Sequence, residues 1–187
     1  VIVDGGSKDD TVKIAKELGC SVIHQWGSGK GAGIRQAFKV FIENDDDVLV
    51  MLDSDGTYSP EEIPLLISSL PKSGIVVGDR LHGNLELGAM TSTNWIGNHL
   101  LTWLAVSLHG TVINDLCSGF WVFSKGAIKR LQLNSMRFEI EAEMYTSCVH
   151  QNIPIRQIPI SYSKRVGEAK LGSIKDGTSI ARKLIIR

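Results

Sequence analysis

Short apolar runs alternate with polar, glycine-containing turns over roughly the first eighty residues. Four of these runs have the length of strands: Val1–Val3, Ser21–His24, Val48–Leu52 and Ile75–Val77. The segments between them carry apolar residues every three or four positions, which predicts helices. A β-α-β-α-β-α-β order implies parallel strands joined by right-handed crossovers. The unbroken run Val48–Leu52 predicts a strand that is buried on both faces.

The pattern changes in the second half of the chain. Leu81–Thr93 is a polar loop that is long enough to suggest a function. Trp95–Leu108 is apolar on nearly every side, which favours a buried helix over one that meets a membrane or a partner. Trp121–Phe123 predicts a further strand, and two prolines make Ile153–Tyr162 an edge strand. We therefore predict an α/β fold with a mostly parallel central sheet and flanking helices.

Composition limits the classes of function. The 187 residues suit one domain, or one domain with an appendage, and their zero net charge argues against a general nucleic-acid binder. The three cysteines are scattered, so neither a disulfide framework nor a zinc site is expected. No apolar run is long enough to span a bilayer. The chain lacks an initiator methionine and begins inside a strand, so we expect a longer gene product.

Charge is concentrated in two stretches. Positions 43–62 hold eight acidic residues and no lysine or arginine. Positions 164–187 hold seven basic and two acidic residues, a local balance of +5. We expect residues 1–163 to form the main domain and residues 164–187 to form a basic segment close to a membrane surface.

Two carboxylates end the third predicted strand. Asp53 and Asp55 follow Val48–Leu52 and are followed by the turn Gly56-Thr57. In open α/β sheets the ligand crevice lies beyond the carboxyl ends of the strands. Unpaired carboxylates there suit Mg²⁺ or Mn²⁺, which take oxygen ligands and bridge phosphates. A solvated turn explains the same residues equally well, because acids are common turn residues.

A glycine-rich stretch, Gly27–Gly33, carries Lys30 and opens a predicted helix. Glycines let the backbone approach a ligand, and a helix start favours anions. The stretch is not a P-loop, because His24 and Gly31 occupy positions where a glycine and a Ser or Thr are needed. Further polar residues stand at strand ends or late in the chain: Asp4, Arg80, Arg165 and Lys170. Together these acids and cations fit a nucleotide diphosphate with a divalent metal.

Six motifs in order resemble glycosyltransferase family 2 with its type-A fold, and above all the dolichyl-phosphate mannose and glucose synthases, archaeal enzymes included. The first half of the chain contributes VIVDGGSKDDT, GKGAGIRQAF and MLDSDGTYSPEEIP. The second half contributes GDR, DLCSGFW and RVGEAKL. The similarity covers essentially the whole chain. It implies a Rossmann-like, type-A glycosyltransferase fold in which residues 1–163 are the catalytic domain.

The resemblance also implies a role for each matched residue on the donor side. It places Asp4 at the base or ribose of a nucleotide-diphosphate sugar. Lys30 and Arg80 would lie near that donor. Asp53 and Asp55 would face the sugar nucleotide and hold Mg²⁺ or Mn²⁺.

On the acceptor side, the resemblance implies that Arg165 and Lys170 hold phosphate and that Asp115 sits beside the reacting sugar. Three positions depart from the family pattern: Gly5, Thr57 and Ala169. The family's first strand, with its Pro and Asn-Glu, is absent from this chain, so we expect part of the nucleotide pocket to be missing.

The activity implied by the resemblance is transfer of a hexose from UDP-glucose, UDP-GlcNAc or GDP-mannose to a polyprenyl phosphate, at the cytoplasmic face of the cell membrane. The acceptor oxygen is already anionic, so catalysis rests on a metal and cations that stabilise the departing nucleotide diphosphate. Asp115 is needed as a base only for a hydroxyl acceptor, and a turn acid explains it equally well. We expect Glu139, Glu141 and Glu143 to form a solvated or helix-start cluster rather than a catalytic one.

Three alternatives remain open at this point. A family 2 enzyme could act on a sugar hydroxyl. A sugar-1-phosphate nucleotidyltransferase also uses a glycine-rich loop and metal-binding carboxylates, although its glycine signature is expected near the N-terminus. A non-catalytic sugar- or lipid-binding module is the third, and Asp53, Asp55 and Arg165 argue against it.

Overall fold

The structure, a computed structural model, describes residues 1–167 and 173–186. Within these ranges the strands are β1 Ile2–Asp4, β2 Val22–His24, β3 Val48–Met51, β4 Ile75–Asp79, β5 Trp121–Ser124 and β6 Ile155–Pro159. β1 and β2 pair in parallel, and the other four form a second sheet in the order β3-β5-β4-β6. The predicted α/β class is confirmed.

Strand direction in the four-stranded sheet is mixed. β5 runs antiparallel to both neighbours, with Val122 opposite Val50 on one side and Val76 on the other. β4 and β6 are parallel, so β3, β4 and β6 all point the same way. The alternating order of elements implies that β3 and β4 are neighbours, but β5 lies between them. This insertion rests on pairing between distant parts of the chain, which local patterns do not reveal.

Burial differs between the strands of this sheet. β4 is buried at every position, whereas β3 is only half buried throughout. The prediction that Val48–Leu52 is buried on both faces is wrong, because β3 lies at one end of the strand order. β6 lies at the other end, as its two prolines predict.

The described helices are α1 Thr11–Glu17, α2 Lys30–Glu43, α3 Ile63–Ser68, α4 Ser92–His109, α5 Lys125–Ile128, α6 Ile140–His150 and α7 Ser173–Ile186. α2 packs on the sheet through Phe38, whose ring meets that of Phe123 edge-on at 4.9 Å between centroids. α7 packs against α4 and α6 and buries Ile180 and Leu184 in the main core. Part of the basic segment 164–187 therefore belongs to the folded domain.

The predicted burial of Trp95–Leu108 is wrong. In α4 only Thr102 and Ala105 are buried. Ile96, Leu100 and Trp103 are each about 60% exposed, at 59%, 61% and 64%, and their spacing places them on one face. No helix in the described part of the chain is both long and apolar enough to cross a membrane. α4 therefore carries an apolar stripe that the described part of the chain leaves uncovered.

The predicted solvation of the acidic helix start is also wrong. α6 is buried at every position from Ile140 to Cys148, so Glu141 and Glu143 are inside the protein. Glu143 is fully buried and pairs with Lys183 of α7 at 2.8 Å, while accepting hydrogen bonds from the backbone of Asn134 and Ser135. Burial opposes ionisation of Glu143, but these partners outweigh it and lower its pKa.

Candidate active site

The turn after β3 holds its second carboxylate in a fixed orientation. Asp55 Oδ1 accepts hydrogen bonds from the backbone nitrogen of Thr57 at 3.1 Å and from its hydroxyl at 2.6 Å. Gly56 permits this turn because its φ is +78°, in the left-handed region. Thr57, one of the departures from the family pattern, thus fixes Asp55 and leaves the other oxygen, Oδ2, for a cation.

The cationic group that contacts Oδ2 is the side chain of Arg165. It belongs to residues 161–167, which we call the strap. Its Tyr162 forms β-bridges with Tyr58 on one side and with Leu85 on the other. The strap continues along the turn, where Val166 donates its backbone N–H to the carbonyl of Asp55 at 2.9 Å. This path brings Arg165 Nη1 to 2.8 Å from Asp55 Oδ2. Two residues that are distant in sequence, an acid and a predicted phosphate-binding cation, therefore meet.

The loop that the sequence singled out, Leu81–Thr93, helps to hold the strap. Asn84 and Glu86 exchange backbone hydrogen bonds with Ile160 and Tyr162, and Glu86 also binds the backbone nitrogen of Lys164 through its carboxylate. On the opposite side, both carboxylate oxygens of Glu62 accept from the backbone nitrogen of Ser161. The position of Arg165 is thus set from two sides.

The first carboxylate of the turn, Asp53, is paired as well. Lys30 is the first residue of α2, and its Nζ lies 2.9 Å from Asp53 Oδ1 and 2.7 Å from Glu141 Oε1. Burial acts against the charge of Lys30, but Glu141 and Asp53 outweigh it, so the Lys30 pKa is raised. Burial raises the pKa of Glu141, and Lys30 acts in the opposite direction. Asp53 and Glu141 thus share one ammonium. Of these two acids it is Glu141 whose ionisation is made harder.

The glycines around Lys30 allow contact with another part of the chain. A Cβ at Gly29 or Gly31 would collide with the backbone carbonyl oxygen of Met136 or Ser135. Met136 O also accepts from the backbone nitrogen of Ala32 at 3.1 Å. The glycines were predicted to let a ligand come close to the backbone, but it is residues 135–136 of the chain that come close. This contact orients Lys30 toward Asp53.

Arg80 and Asp115 form a closed, buried pair. Arg80 Nε and Nη2 donate to Asp115 at 2.7 and 2.8 Å, and the Arg80 backbone nitrogen donates to Asp115 Oδ2 at 3.0 Å. Asp115 is fully buried and Arg80 is 6% exposed, with its guanidinium over the Tyr162 ring. Burial acts against the charge of Arg80, but Asp115 outweighs it, and the Arg80 pKa is raised. Both side chains are thus committed to each other rather than to a crevice.

Tyr58 and Cys117 link this pair to the turn 53–57 that follows β3. Tyr58 Oη accepts from the backbone nitrogen of Gly119 at 2.6 Å, and Gly119 leaves no room for a Cβ against the Asp53 carboxylate. Burial raises the pKa of Tyr58 well above its usual value. Burial, then the charge of Asp115, raises the pKa of the Cys117 thiol to about 12. The two groups lie in the fields of both ion-pair systems.

Asp4 lies at the end of β1 and organises its own turn. Its carboxylate accepts from the backbone nitrogens of Gly6 and Ser7 at 3.2 and 3.0 Å, and His24 Nδ1 lies 3.5 Å away. The hydrogen bonds from Ser7 lower the Asp4 pKa, so the group is anionic near neutral pH. Its predicted contact with a base or ribose remains a prediction. Lys170 falls outside the described residues.

A cavity of about 450 Å³ opens at the carboxyl end of β3. It is lined by Leu52, Asp53, Ser54, Gly56, Tyr58, Ser59, Pro60 and Ser163. The cavity therefore lies between the turn 53–57 and the strap, at the edge of the sheet where parallel strands usually present their ligand-binding residues.

Asp53 and Asp55 are the two carboxylates of this turn that could hold a divalent cation, in place of part of their contacts with Lys30 and Arg165. The two carboxylate side chains are 32% and 16% exposed, and they offer the hard oxygen donors that Mg²⁺ and Mn²⁺ take. Among the described residues, no cluster of three His, Cys, Asp or Glu side chains could hold a metal by itself. Mg²⁺ is commonly bound by one or two carboxylates together with substrate phosphates, so the pair fits a metal that arrives with a diphosphate.

The sequence reading missed Glu141, Tyr58 and the cations on the two acids. Asp53 and Asp55 were expected to be unpaired because no basic residue is near them in sequence, but Lys30 and Arg165 reach them through the fold. A signal for Glu141 was present. It stands between Ile140 and Ala142, with Phe138 three residues before it and Met144 three after it, and an acid inside a buried helix needs a cationic partner.

Residues 1–132 match the family described as Glycosyl transferase family 2. The Haloferax volcanii protein "Glycosyltransferase AglJ" is 33% identical over 190 residues, covering all of this chain and 62% of that protein. A Methanococcus voltae protein, "UDP-N-acetylglucosamine--dolichyl-phosphate N-acetylglucosaminyltransferase", is 30% identical over 182 residues, covering 86% of this chain and 72% of that protein. The chain is thus shorter than these relatives.

Among solved structures, the glucosyl-3-phosphoglycerate synthase of Mycobacterium tuberculosis, with Mn²⁺, UDP and glucosyl-3-phosphoglycerate, superimposes with a TM-score of 0.69. Sequence identity is 18%, over 98% of this chain and 64% of that one, so the likeness concerns the fold. It confirms the predicted type-A glycosyltransferase fold. With the family match over residues 1–132, it follows that this chain belongs to glycosyl transferase family 2.

Proposed function

We propose that this chain is the catalytic part of an enzyme that transfers a hexose from a nucleotide-diphosphate sugar to a polyprenyl phosphate. The observation that carries the proposal is the 2.8 Å contact between Arg165 and Asp55. It joins the acid expected to bind the donor's metal to a cation expected to bind a phosphate. The name of the Methanococcus voltae relative, a dolichyl-phosphate sugar transferase, supports the same acceptor class.

On the donor side, Asp53 and Asp55 would hold Mg²⁺ or Mn²⁺, with Lys30 beside them. When bound, the metal would neutralise the charge that develops on the departing diphosphate. Lys30 already lies at 2.9 Å from Asp53, so its ammonium stands where a diphosphate on that metal would need a second cation. Asp4 would meet the base or ribose. UDP-glucose, UDP-GlcNAc and GDP-mannose are the candidate donors.

On the acceptor side, Arg165 would hold the phosphate, together with Lys170. The Arg165 side chain is 35% exposed, so its guanidinium remains accessible from solvent. A planar guanidinium matches two phosphate oxygens at once. The strap would therefore align the phosphate with the anomeric carbon of a donor bound at the turn, and alignment of two reactants is itself a large catalytic effect.

No general base is required in this scheme, because a phosphate oxygen is anionic at neutral pH. Asp115 is fully buried and bound through both oxygens to Arg80, an arrangement that suits support of the site rather than proton abstraction. A hydroxyl acceptor would need a base, so the closed Arg80–Asp115 pair also speaks against the sugar-hydroxyl alternative. Arg80 would then affect the donor site indirectly, by holding Asp115 and the structure around it in place, and would not contact the donor.

The acceptor class also explains the exposed apolar stripe of α4. We propose that Ile96, Leu100 and Trp103 rest against the cytoplasmic face of the cell membrane, with the exposed Lys175 and Arg182 of α7 facing anionic headgroups. The chain would then be peripheral to the membrane that carries its lipid substrate. This placement brings the polyprenyl phosphate to the protein in two dimensions rather than three.

The proposal is tested by a matrix of donors and acceptors. The three candidate donors are each incubated with Mn²⁺ and a short-chain polyprenyl phosphate, a free hexose or no acceptor, and products are separated by mass. We expect hexosyl transfer to the lipid phosphate from one donor, abolished by EDTA and restored by Mn²⁺. Transfer to the free hexose alone, or lipid transfer that is unaffected by EDTA, would contradict the proposal.

A further inference from the structure

Lys30 is the one residue of the candidate site, within the described part of the chain, whose charged group touches two carboxylates. Its ammonium lies between Asp53 on the turn and Glu141 on α6, at 2.9 and 2.7 Å. The two acids are unlike in burial. The Asp53 side chain is 32% exposed, whereas that of Glu141 is only 7% exposed.

This arrangement matters because Asp53 has two roles in the proposed site. It is a ligand expected for a divalent cation, and it is also the partner of an ammonium that touches both its oxygens, at 2.9 and 3.2 Å. A lysine with Asp53 as its sole partner would neutralise that carboxylate and compete with the metal for the same oxygens. With Glu141 present, the ammonium has a second carboxylate partner, so Asp53 is not the only group that balances its charge.

Glu141 is well placed to act as a fixed anchor. It lies in the first turn of α6, between the buried residues Ile140 and Ala142, so its backbone has little freedom to move. Its Oε1 is closer to the ammonium than either Asp53 oxygen is. Because an ionised carboxylate in such a place is costly without a partner, Lys30 and Glu141 hold each other in position.

We propose that Glu141 is a positioning residue that anchors Lys30, so that Asp53 stays available to a divalent cation and Lys30 faces the diphosphate that accompanies it. The inference deepens the proposed function and rests on it for the identity of the metal and the nucleotide. It assigns to α6 a role in the donor site that no motif of the sequence indicated.

The test is a double-mutant cycle read by Mn²⁺ affinity, without turnover. Mn²⁺ is titrated calorimetrically into the wild-type chain, Glu141→Gln, Lys30→Met and the double variant, each with and without UDP or GDP. We expect Glu141→Gln to weaken Mn²⁺ binding on the order of tenfold, because Asp53 is then the only carboxylate paired with Lys30. In the Lys30→Met background the same change should have little effect, because no ammonium is left to compete.

The double variant distinguishes this role from a simple charge effect. If Glu141 acted on the metal only through its own field, its loss would weaken Mn²⁺ binding equally in both backgrounds, and the proposal would be wrong. Unchanged affinity in Glu141→Gln would also overturn it. Glu139→Gln removes a charge two residues away and serves as the matched control, with no effect expected.

Two further readings complete the experiment. Glu141→Asp keeps the charge but shortens the side chain, so it should recover part of the affinity if contact with Lys30 matters. Melting temperatures measured alongside verify that each variant is folded. If the wild-type chain binds no Mn²⁺ even with UDP or GDP, the metal part of the proposed function fails and this inference fails with it. If only the cycle is additive, the proposed function stands and this inference alone is rejected.

Discussion

Two ion pairs at the carboxyl end of the sheet have similar partners and lengths but different surroundings. Arg80–Asp115 is closed: both side chains are buried, and both acid oxygens are used by one guanidinium. Asp55–Arg165 is open: the side chains are 16% and 35% exposed, and the arginine belongs to a strap rather than to a strand or helix. The difference teaches that a closed pair holds the site together, whereas an open pair can exchange its partner for a ligand.

The same contrast separates the two Asp residues that sequence motifs rank alike. Asp115 and Asp55 each stand in a family-like motif, yet Asp115 is fully buried and Asp55 is partly exposed. The contribution of each ion pair to the free energy of unfolding depends on how deeply the pair is buried. Breaking a buried pair leaves an uncompensated charge inside the protein, whereas an exposed pair contributes little to stability. Substitutions in the two pairs should therefore separate stability from activity.

The largest effect on stability is expected at the closed pair. Asp115→Asn removes the charge that Arg80 needs while keeping the size of the side chain, and we expect the free energy of unfolding to fall by about 3–5 kcal/mol. Urea denaturation followed by circular dichroism measures it. The exposed Asp46→Asn serves as control, with no change expected beyond about 0.5 kcal/mol. A fall below about 1 kcal/mol for Asp115→Asn would mean that the pair is not closed in solution.

A second closed pair, Glu143–Lys183, sharpens the comparison through pH. The pKa of Glu143 lies below its ordinary value of 4.5, so its stabilising effect is full above that value and is lost as pH falls through the lower, native pKa. Glu143→Gln should lose roughly 1–3 kcal/mol at pH 7 and show a flatter decline of stability below pH 4.5 than wild type. Melting temperature is measured across the acidic range. Parallel curves for the two proteins would contradict the assignment.

The open pair should give a small change in stability and a large change in function. Asp55→Asn keeps an oxygen for Thr57 and breaks only the contact with Arg165, so we expect less than about 1 kcal/mol in unfolding free energy. Mn²⁺ affinity in the presence of UDP or GDP should fall by more than the roughly 10–100-fold that loss of an outer-shell partner costs. Unaltered metal binding in Asp55→Asn would remove Asp55 from the metal site.

The smallest effect on stability is expected on α4, where apolar residues repeat the contrast between open and closed. Trp103→Glu changes a side chain that is 64% exposed and should alter the unfolding free energy by no more than about 0.5 kcal/mol. We expect it nevertheless to abolish sedimentation with anionic vesicles, which in wild type should weaken as salt is raised. Vesicle binding equal to that of wild type would exclude this face of α4 from the membrane contact.

Local sequence patterns predicted where the strands and helices lie better than they predicted which elements pack next to each other. The strands, the edge position of β6 and the place of Asp53 and Asp55 at a strand end follow from apolar runs and turn residues. The insertion of β5 between β3 and β4 does not, because it depends on pairing across the chain. The exposure of α4 was missed because an all-apolar helix has the same sequence whether the protein or a membrane covers it.

The site was predictable as a set of residues but not as a set of pairs. Motifs named Asp53, Asp55 and Arg165, while the strap that brings Arg165 to Asp55 is held by bridges from Tyr162 to two distant loops. Charge counting along the sequence made Glu141 look solvated, and only the burial of α6 shows that it must be paired. Partners that come from elsewhere in the fold are what local sequence lacks.

The central claim is that a phosphate, bound by Arg165 next to the metal-binding turn, is the nucleophile. The most direct measurement compares Arg165→Ala, Arg165→Lys and Asp115→Asn with a short polyprenyl phosphate and with a free hexose as acceptors, per folded molecule and well below each melting temperature. We predict that Arg165→Ala loses roughly 2–5 kcal/mol of transition-state stabilisation with the lipid phosphate. Arg165→Lys should recover it in part, and Asp115→Asn should be the mildest. A loss of about 10²–10⁴ in rate for Asp115→Asn, exceeding that for Arg165→Ala, would contradict the account, because it is the signature of a general base acting on a hydroxyl.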